Sequence, residues 1–97
     1  MQRRIHITNF HTTRADRPVQ VVTVDSQEKF YIVKFYRWKT RQVGGYAVYQ
    51  LPHDLWGTRT LVANFPVGSY ANAHRALSAA RRTARTLAQQ VALGVDT

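Results

Sequence analysis

Phe30-Tyr31-Ile32-Val33-Lys34-Phe35-Tyr36-Arg37-Trp38-Lys39-Thr40-Arg41 is the stretch on which the fold turns. Aromatic and β-branched residues suit a pleated, half-buried surface, so residues 30–41 predict a strand, and its length predicts a bulge or bend near Lys34 to Tyr36. Along one parity Tyr31, Val33 and Phe35 are followed by Arg37, Lys39 and Arg41. A face that begins apolar therefore ends in three cations. The other parity carries Phe30, Ile32, Tyr36, Trp38 and Thr40.

Working outward, Val19, Val21, Val22 and Val24 form a β-branched run that stops at Asp25-Ser26-Gln27-Glu28, which predicts a strand and a hairpin turn. Further upstream, Asn9 to Pro18 reads as a loop, and Ile5 and Ile7 alternate with polar neighbours in a short strand over residues 3–8. Downstream, Val43-Gly44-Gly45 offers the permissive dihedrals of a tight hairpin turn, with Tyr46 to Leu51 returning as the next strand. Pro52-His53-Asp54-Leu55-Trp56-Gly57 reads as a connecting loop, and Thr58 to Phe65 as a further strand. Pro66-Val67-Gly68-Ser69 closes the β region, with Ser69 expected as a helix N-cap.

The remainder predicts one helix, Tyr70 to Leu93, ended by Gly94 at the C′ position. Tyr70, Ala73, Leu77, Ala80, Ala84, Leu87 and Val91 recur at steps of three and four and share one face. Because that face is mostly alanine, its backbone can lie close against a sheet. Arg75, Ser78, Arg82, Arg85 and Gln89 occupy the opposite face, with Arg81 on its flank. The expectation is an α+β chain: an antiparallel sheet of four or five strands with one long C-terminal helix packed on one face. Ninety-seven residues allow one core, so residues 1–97 are expected to form a single domain.

Fourteen Lys and Arg against five Asp and Glu leave a formal net charge of +9. Eleven of the cations are arginine, whose planar fork grips phosphate bidentately and stacks on bases. A 44% hydrophobic content excludes a disordered polyelectrolyte. A polyanion, above all nucleic acid, is the partner this balance implies. The basic residues are spread along the chain without a juxtamembrane cluster, which argues against a membrane surface. Absence of cysteine excludes a disulfide framework and a cysteine-based zinc site and fits a reducing cytoplasm, the expected location. Met1-Gln2-Arg3-Arg4-Ile5-His6-Ile7 lacks the apolar run of a signal peptide, and no stretch is apolar enough to span a bilayer.

Tyr36-Arg37-Trp38, Gly45-Tyr46-Ala47-Val48, Arg59-Thr60-Leu61-Val62-Ala63-Asn64-Phe65 and the alanine-rich helix with Ala71, Ala73, Ala76, Ala79 and Ala80 together carry a resemblance. Over about Tyr36 to Leu87 the chain resembles the three-stranded DNA-binding domain of plant ethylene-responsive (Apetala-type) factors, an architecture shared by the arm-binding domains of phage tyrosine integrases. In such domains the sheet enters the major groove and the helix backs it. The resemblance implies that Arg37, Lys39, Arg41, Tyr46 and Arg59 form the DNA face. Strands followed by a helix, with aromatics and cations interleaved, equally resemble single-strand-binding transcriptional coactivator and whirly-type domains, which act as dimers or larger oligomers.

Candidate nucleic-acid contacts are therefore Lys34, Arg37, Trp38, Lys39, Arg41, Tyr46 and Arg59, with Arg75, Arg81, Arg82 and Arg85 as secondary phosphate contacts. Cations neutralise phosphates while aromatic faces stack bases. Against this stand a solvated strand end with Tyr36 and Trp38 in the core, and a helix whose arginines simply face water. Trp56 is either a stacking platform or folded back onto the core. His6, His11, His53 and His74 are scattered without ligand spacing, so neither a metal nor a cofactor is expected. Adjacent His53 and Asp54 lack a third catalytic group, and a binding protein rather than an enzyme is expected, with a small basic ribonuclease toxin as the enzymatic alternative. DNA is favoured over RNA and duplex over single strand. The alternatives are a single-strand-binding homodimer and a mobile-element inhibitor or adaptor that engages an acidic protein.

Overall fold

Alternation of buried and exposed residues organises the chain around one sheet. The structure, a computed structural model, describes residues 4–14, 17–52 and 58–94. Five strands, β1 (Ile5–Asn9), β2 (Pro18–Val24), β3 (Gln27–Tyr36), β4 (Val43–Gln50) and β5 (Thr60–Pro66), are followed by a short 3-10 turn at Val67–Ser69 and the helix α1 (Ala73–Ala92). The strands lie in sequence order, β1-β2-β3-β4-β5, and every neighbouring pair is antiparallel. The expected α+β architecture is the observed one.

Register decides which side chains share a face. Ile7 pairs with Val22, Val22 with Phe30, Ile32 with Val48 and Val48 with Ala63, which places these apolar residues on the side covered by α1. The opposite parity aligns Val21 with Tyr31, Tyr31 with Tyr49 and Tyr49 with Leu61 on the side away from the helix. The β2–β3 connection is the expected tight turn. Asp25 and Ser26 both take positive φ, at 54° and 68°, the pattern that matches the twist of a two-residue hairpin. Asp25 Oδ1 also accepts from the Arg4 amide at 3.1 Å, fastening the start of β1 to this turn.

Two local expectations are corrected. Val43-Gly44-Gly45 is not a turn but the first part of β4, and the connection is made by residues 37–42, where Arg41 takes φ 55°. Gly45 is needed for a different reason: a Cβ there would meet Phe35 Cζ and the Phe65 carbonyl oxygen, each at 2.5 Å. Phe35 is its cross-strand partner and the ring lies over the bare backbone. The anticipated bulge does occur, as a register shift between Phe35 and Tyr36. At the helix start, Asn72 rather than Ser69 is the N-cap, its Oδ1 accepting from the Arg75 amide at 2.9 Å. Ser69 instead ends the 3-10 turn. Gly94 at the far end holds φ 78°, the left-handed C′ geometry expected of it.

The helix face is rotated slightly from the expected one. Ala76, Ala80, Ala84 and Ala88 are each 0% exposed, whereas Ala73, Leu77 and Leu87 are only half-buried. An i, i+4 ridge of methyl groups approaches the sheet most closely, and the longer leucines flank it. Ala84→Leu is expected to destabilise the fold by roughly 1–3 kcal/mol through overpacking, read from the urea midpoint. Gly45→Ala should cost a similar amount, about 1–3 kcal/mol, because both opposing groups are held by the sheet. Gly68→Ala, whose Cβ would meet nothing within 4 Å, is the control that should melt like the parent.

Candidate nucleic-acid interface

Strand β3 leaves the sheet after Tyr36, and this moves its cations from a sheet face to a turn. The Arg37 amide donates to the Gln42 carbonyl at 2.7 Å and the Arg41 amide donates to the Arg37 carbonyl at 2.8 Å, so the turn closes on its own backbone. Arg37, Lys39 and Arg41 are exposed there, and Trp38 is 86% exposed. Trp38 therefore stands in solvent and not in the core. Among the described residues no carboxylate pairs with these three cations. Three positive charges and an indole thus share one six-residue tip.

Lys34 and Tyr36 do different work. Lys34 Nζ donates to the Thr12 carbonyl at 3.4 Å and lies 5.9 Å from the Tyr36 ring centroid. Tyr36 Oη donates to the Thr13 carbonyl at 2.8 Å. Together they pin the loop after β1 against the end of β3, which leaves Lys34 half-buried. Arg59, by contrast, lies on the side of the sheet away from the helix. Its guanidinium is 4.4 Å from the Tyr49 ring centroid and 5.6 Å from that of Tyr31, and its Nη1 donates to Tyr31 Oη. Tyr31 and Tyr49 are themselves stacked, with centroids 5.6 Å apart. That hydrogen bond raises the Arg59 pKa above its ordinary value, with burial opposing.

Tyr46 is displaced from the expected DNA face. It pairs with Lys34 across β3 and β4, which puts it on the helix-covered parity, and it is 5% exposed within the core. Burial raises its phenol pKa, the positive charge of Arg81 lowers it, and Tyr36 adds a smaller upward push. Arg81 is accordingly drawn in beside the core and half-buried, while Arg75, Arg82 and Arg85 stay exposed. The four helix cations are thus not equivalent. His53, Asp54 and Trp56 lie outside the described residues. No group of three or more metal-ligating side chains occurs among the described residues, and no helix there is long and apolar enough to cross a membrane.

The Arg59–Tyr31–Tyr49 stack was hidden in the sequence. Tyr31 and Tyr49 each stood on a strand, but only the pairing register brings them side by side with Arg59 above. Five antiparallel strands in sequence order, backed by a C-terminal helix, define an α+β protein with one covered and one open sheet face. No protein-family model matches the chain, and neither does any curated protein or any solved structure.

The Tyr46 environment has a measurable consequence at alkaline pH. Its folded pKa lies above the unfolded value of about 10, so the folded state keeps the proton longer than the unfolded one. The stability this contributes is complete below about pH 10 and is lost as pH rises through the folded pKa. Urea midpoints from about pH 9 to about pH 11 should fall more steeply for the parent than for Tyr46→Phe. Equal slopes would mean that the phenol ionises in the folded protein as it does in water.

Proposed function

We propose that the protein binds nucleic acid, double-stranded DNA in the first instance, with the β3–β4 turn as the contacting element. The observation that carries this reading is Trp38, 86% exposed on a tip shared with the exposed cations Arg37, Lys39 and Arg41. A large apolar ring left in water has a reason to be there when a stacking or wedge partner takes it up. A two-stranded ribbon also fits the width of a B-DNA major groove. In this arrangement the cations contact phosphates on the groove walls while Trp38 meets bases between them. The net charge of +9 supplies the counterion-release term that dominates such binding.

Arg59, on the open sheet face above Tyr31 and Tyr49, extends the positive potential beyond the turn. A second reading, an adaptor bound to an acidic protein, draws on Leu61 and Val62, which are 52% and 38% exposed on the edge strand β5. Apolar side chains in such a position suit a protein contact better than a phosphate backbone.

Fluorescence anisotropy with a duplex at low salt is expected to give micromolar or tighter binding, with log K falling against log salt at a slope of about −0.9Z for Z neutralised phosphates. Replacing Arg37, Lys39 and Arg41 by glutamine should abolish most affinity and flatten that slope. Trp38→Ala should leave the slope unchanged but weaken binding about 5- to 150-fold, the worth of one stacking contact. Circular dichroism on each variant separates a lost contact from a lost fold. Undiminished affinity in the triple variant would overturn the turn as the contact element. Partners that survive nuclease treatment of a lysate, together with no duplex binding, would favour the adaptor.

A further inference from the structure

Between α1 and the β1–β2 hairpin runs a groove of about 420 Å³, walled by Asn9 and Gln20 on the sheet side and by Ser78, Arg81, Arg82 and Arg85 on the helix side. The helix residues fall at steps of three and four, so all four project from one strip. Arg81 and Arg85, four residues apart, are like charges on neighbouring turns and repel each other. Helix α1 contains no acid, and the described carboxylates, Asp25 and Glu28, belong to the β2–β3 hairpin at the other end of β2. Among the described residues none of them pairs with these arginines.

The floor of the groove is unfinished in a second, independent way. Gln20 is 3% exposed and donates its Nε2 to Asn9 Oδ1 at 2.8 Å, but its Oε1 is buried without a hydrogen-bond partner. Arg81 Nε is likewise buried without one. A buried acceptor and a buried charged donor left open are both costly, and each calls for a partner.

We propose that this groove is a binding site for a terminal phosphate group, a phosphomonoester or inorganic phosphate. Its unprotonated oxygens accept from the guanidiniums of Arg81, Arg82 and Arg85, and its remaining O–H donates to Gln20 Oε1. The demand for a donor as well as acceptors is what selects this chemistry. A backbone phosphodiester has no O–H on phosphorus and sulfate at neutral pH has none either, whereas hydrogen phosphate keeps one at neutral pH and a phosphomonoester keeps one in its monoanion, below a second pKa of about 6. The site is separate from the β3–β4 turn and does not depend on that turn binding DNA. The phosphate is carried either by a free small molecule, such as a mononucleotide, or by the 5′ end of a nucleic-acid strand.

The test is a thermal-shift and ³¹P NMR titration of the full chain with inorganic phosphate, sulfate and adenosine monophosphate at matched ionic strength. Phosphate at about pH 7, and the nucleotide below about pH 6 where its monoanion carries the O–H, are expected to bind saturably and in competition, at least about tenfold tighter than sulfate, the preference expected of one added hydrogen bond to a charged group. Arg82→Gln/Arg85→Gln, both exposed positions, should abolish saturable binding while preserving the fold. Gln20→Met should bring phosphate down to the level of sulfate. Tighter binding of a 5′-phosphorylated oligonucleotide than of its 5′-hydroxyl twin would identify a strand end as the source, and equal binding a free ligand. Equal responses to sulfate and phosphate that persist in the double arginine variant would overturn the proposal. The Arg37, Lys39 and Arg41 triple variant should keep its phosphate binding, so the two sites fail or stand separately.

Discussion

Close approach of a methyl-lined helix to one side of a sheet is the constraint from which the other features follow. Ala76, Ala80, Ala84 and Ala88 present nothing larger than a methyl group, and all four are fully buried against the core. A helix seated this closely covers Val22, Ile32 and Val48 completely and leaves Tyr46 almost no solvent. Bulk at the alanine ridge would lift α1 from the sheet and open the whole layer, since interiors are packed at crystal-like density. The same seating forces Arg81, which lies between the buried Ala80 and the exposed Arg82, to the rim of the core. Its buried Nε and its influence on the Tyr46 phenol are results of helix position more than of the arginine itself.

Covering only one side of the sheet divides the molecule chemically. The covered side is apolar, with Phe30 and Tyr46 among its aliphatic residues, closed by the helix and edged by the Asn9–Gln20 pair. The open side keeps aromatic rings in half-exposure, with Tyr31 and Tyr49 stacked beneath the Arg59 guanidinium. Such a cation over an aromatic face is attracted by the ring quadrupole and holds a charge on a surface that otherwise has few. Positive charge is therefore presented in three settings: at the β3–β4 tip beside Trp38, on the open face over tyrosines, and along the helix beside the groove. Only two acids, Asp25 and Glu28, lie among the described residues, so little within the described structure neutralises these settings.

Much of the fold was legible because local signals agreed. The β-branched run ending at Asp25-Ser26, the long alanine-rich helix and Gly94 beyond its end each act through nearest neighbours, and each is found where expected. Expectations failed where a distant residue decides the local conformation. Gly44 and Gly45 carry the composition of a turn, yet Phe35 needs the bare backbone of Gly45 beneath its ring, and the turn moves to residues 37–42. Ser69 has the chemistry of an N-cap, but the 3-10 turn occupies it and Asn72 takes the role three residues later. Of the candidate site, the exposed tip of Arg37, Trp38, Lys39 and Arg41 was readable as a cluster, though not its position off the sheet. Tyr46 was misplaced because alternation tells which residues share a face but not which face the helix will choose.

By itself the sequence determined the α+β class, the order of strands before helix, the excess of arginine over acid and the small-residue stripe that lets a helix lie close. These depend on composition, on the two- and 3.6-residue periods and on turn chemistry, all of which are local. Tertiary structure alone decided that Arg59 rests on Tyr31 and Tyr49, that Gln20 and Arg81 meet at one groove with open hydrogen-bonding atoms, and that Tyr46 is buried while Trp38 is not. Each of these depends on strand register or on the side of the sheet the helix covers. A shift of one residue in register, or a helix on the other face, would exchange the buried and exposed sets without changing any local preference.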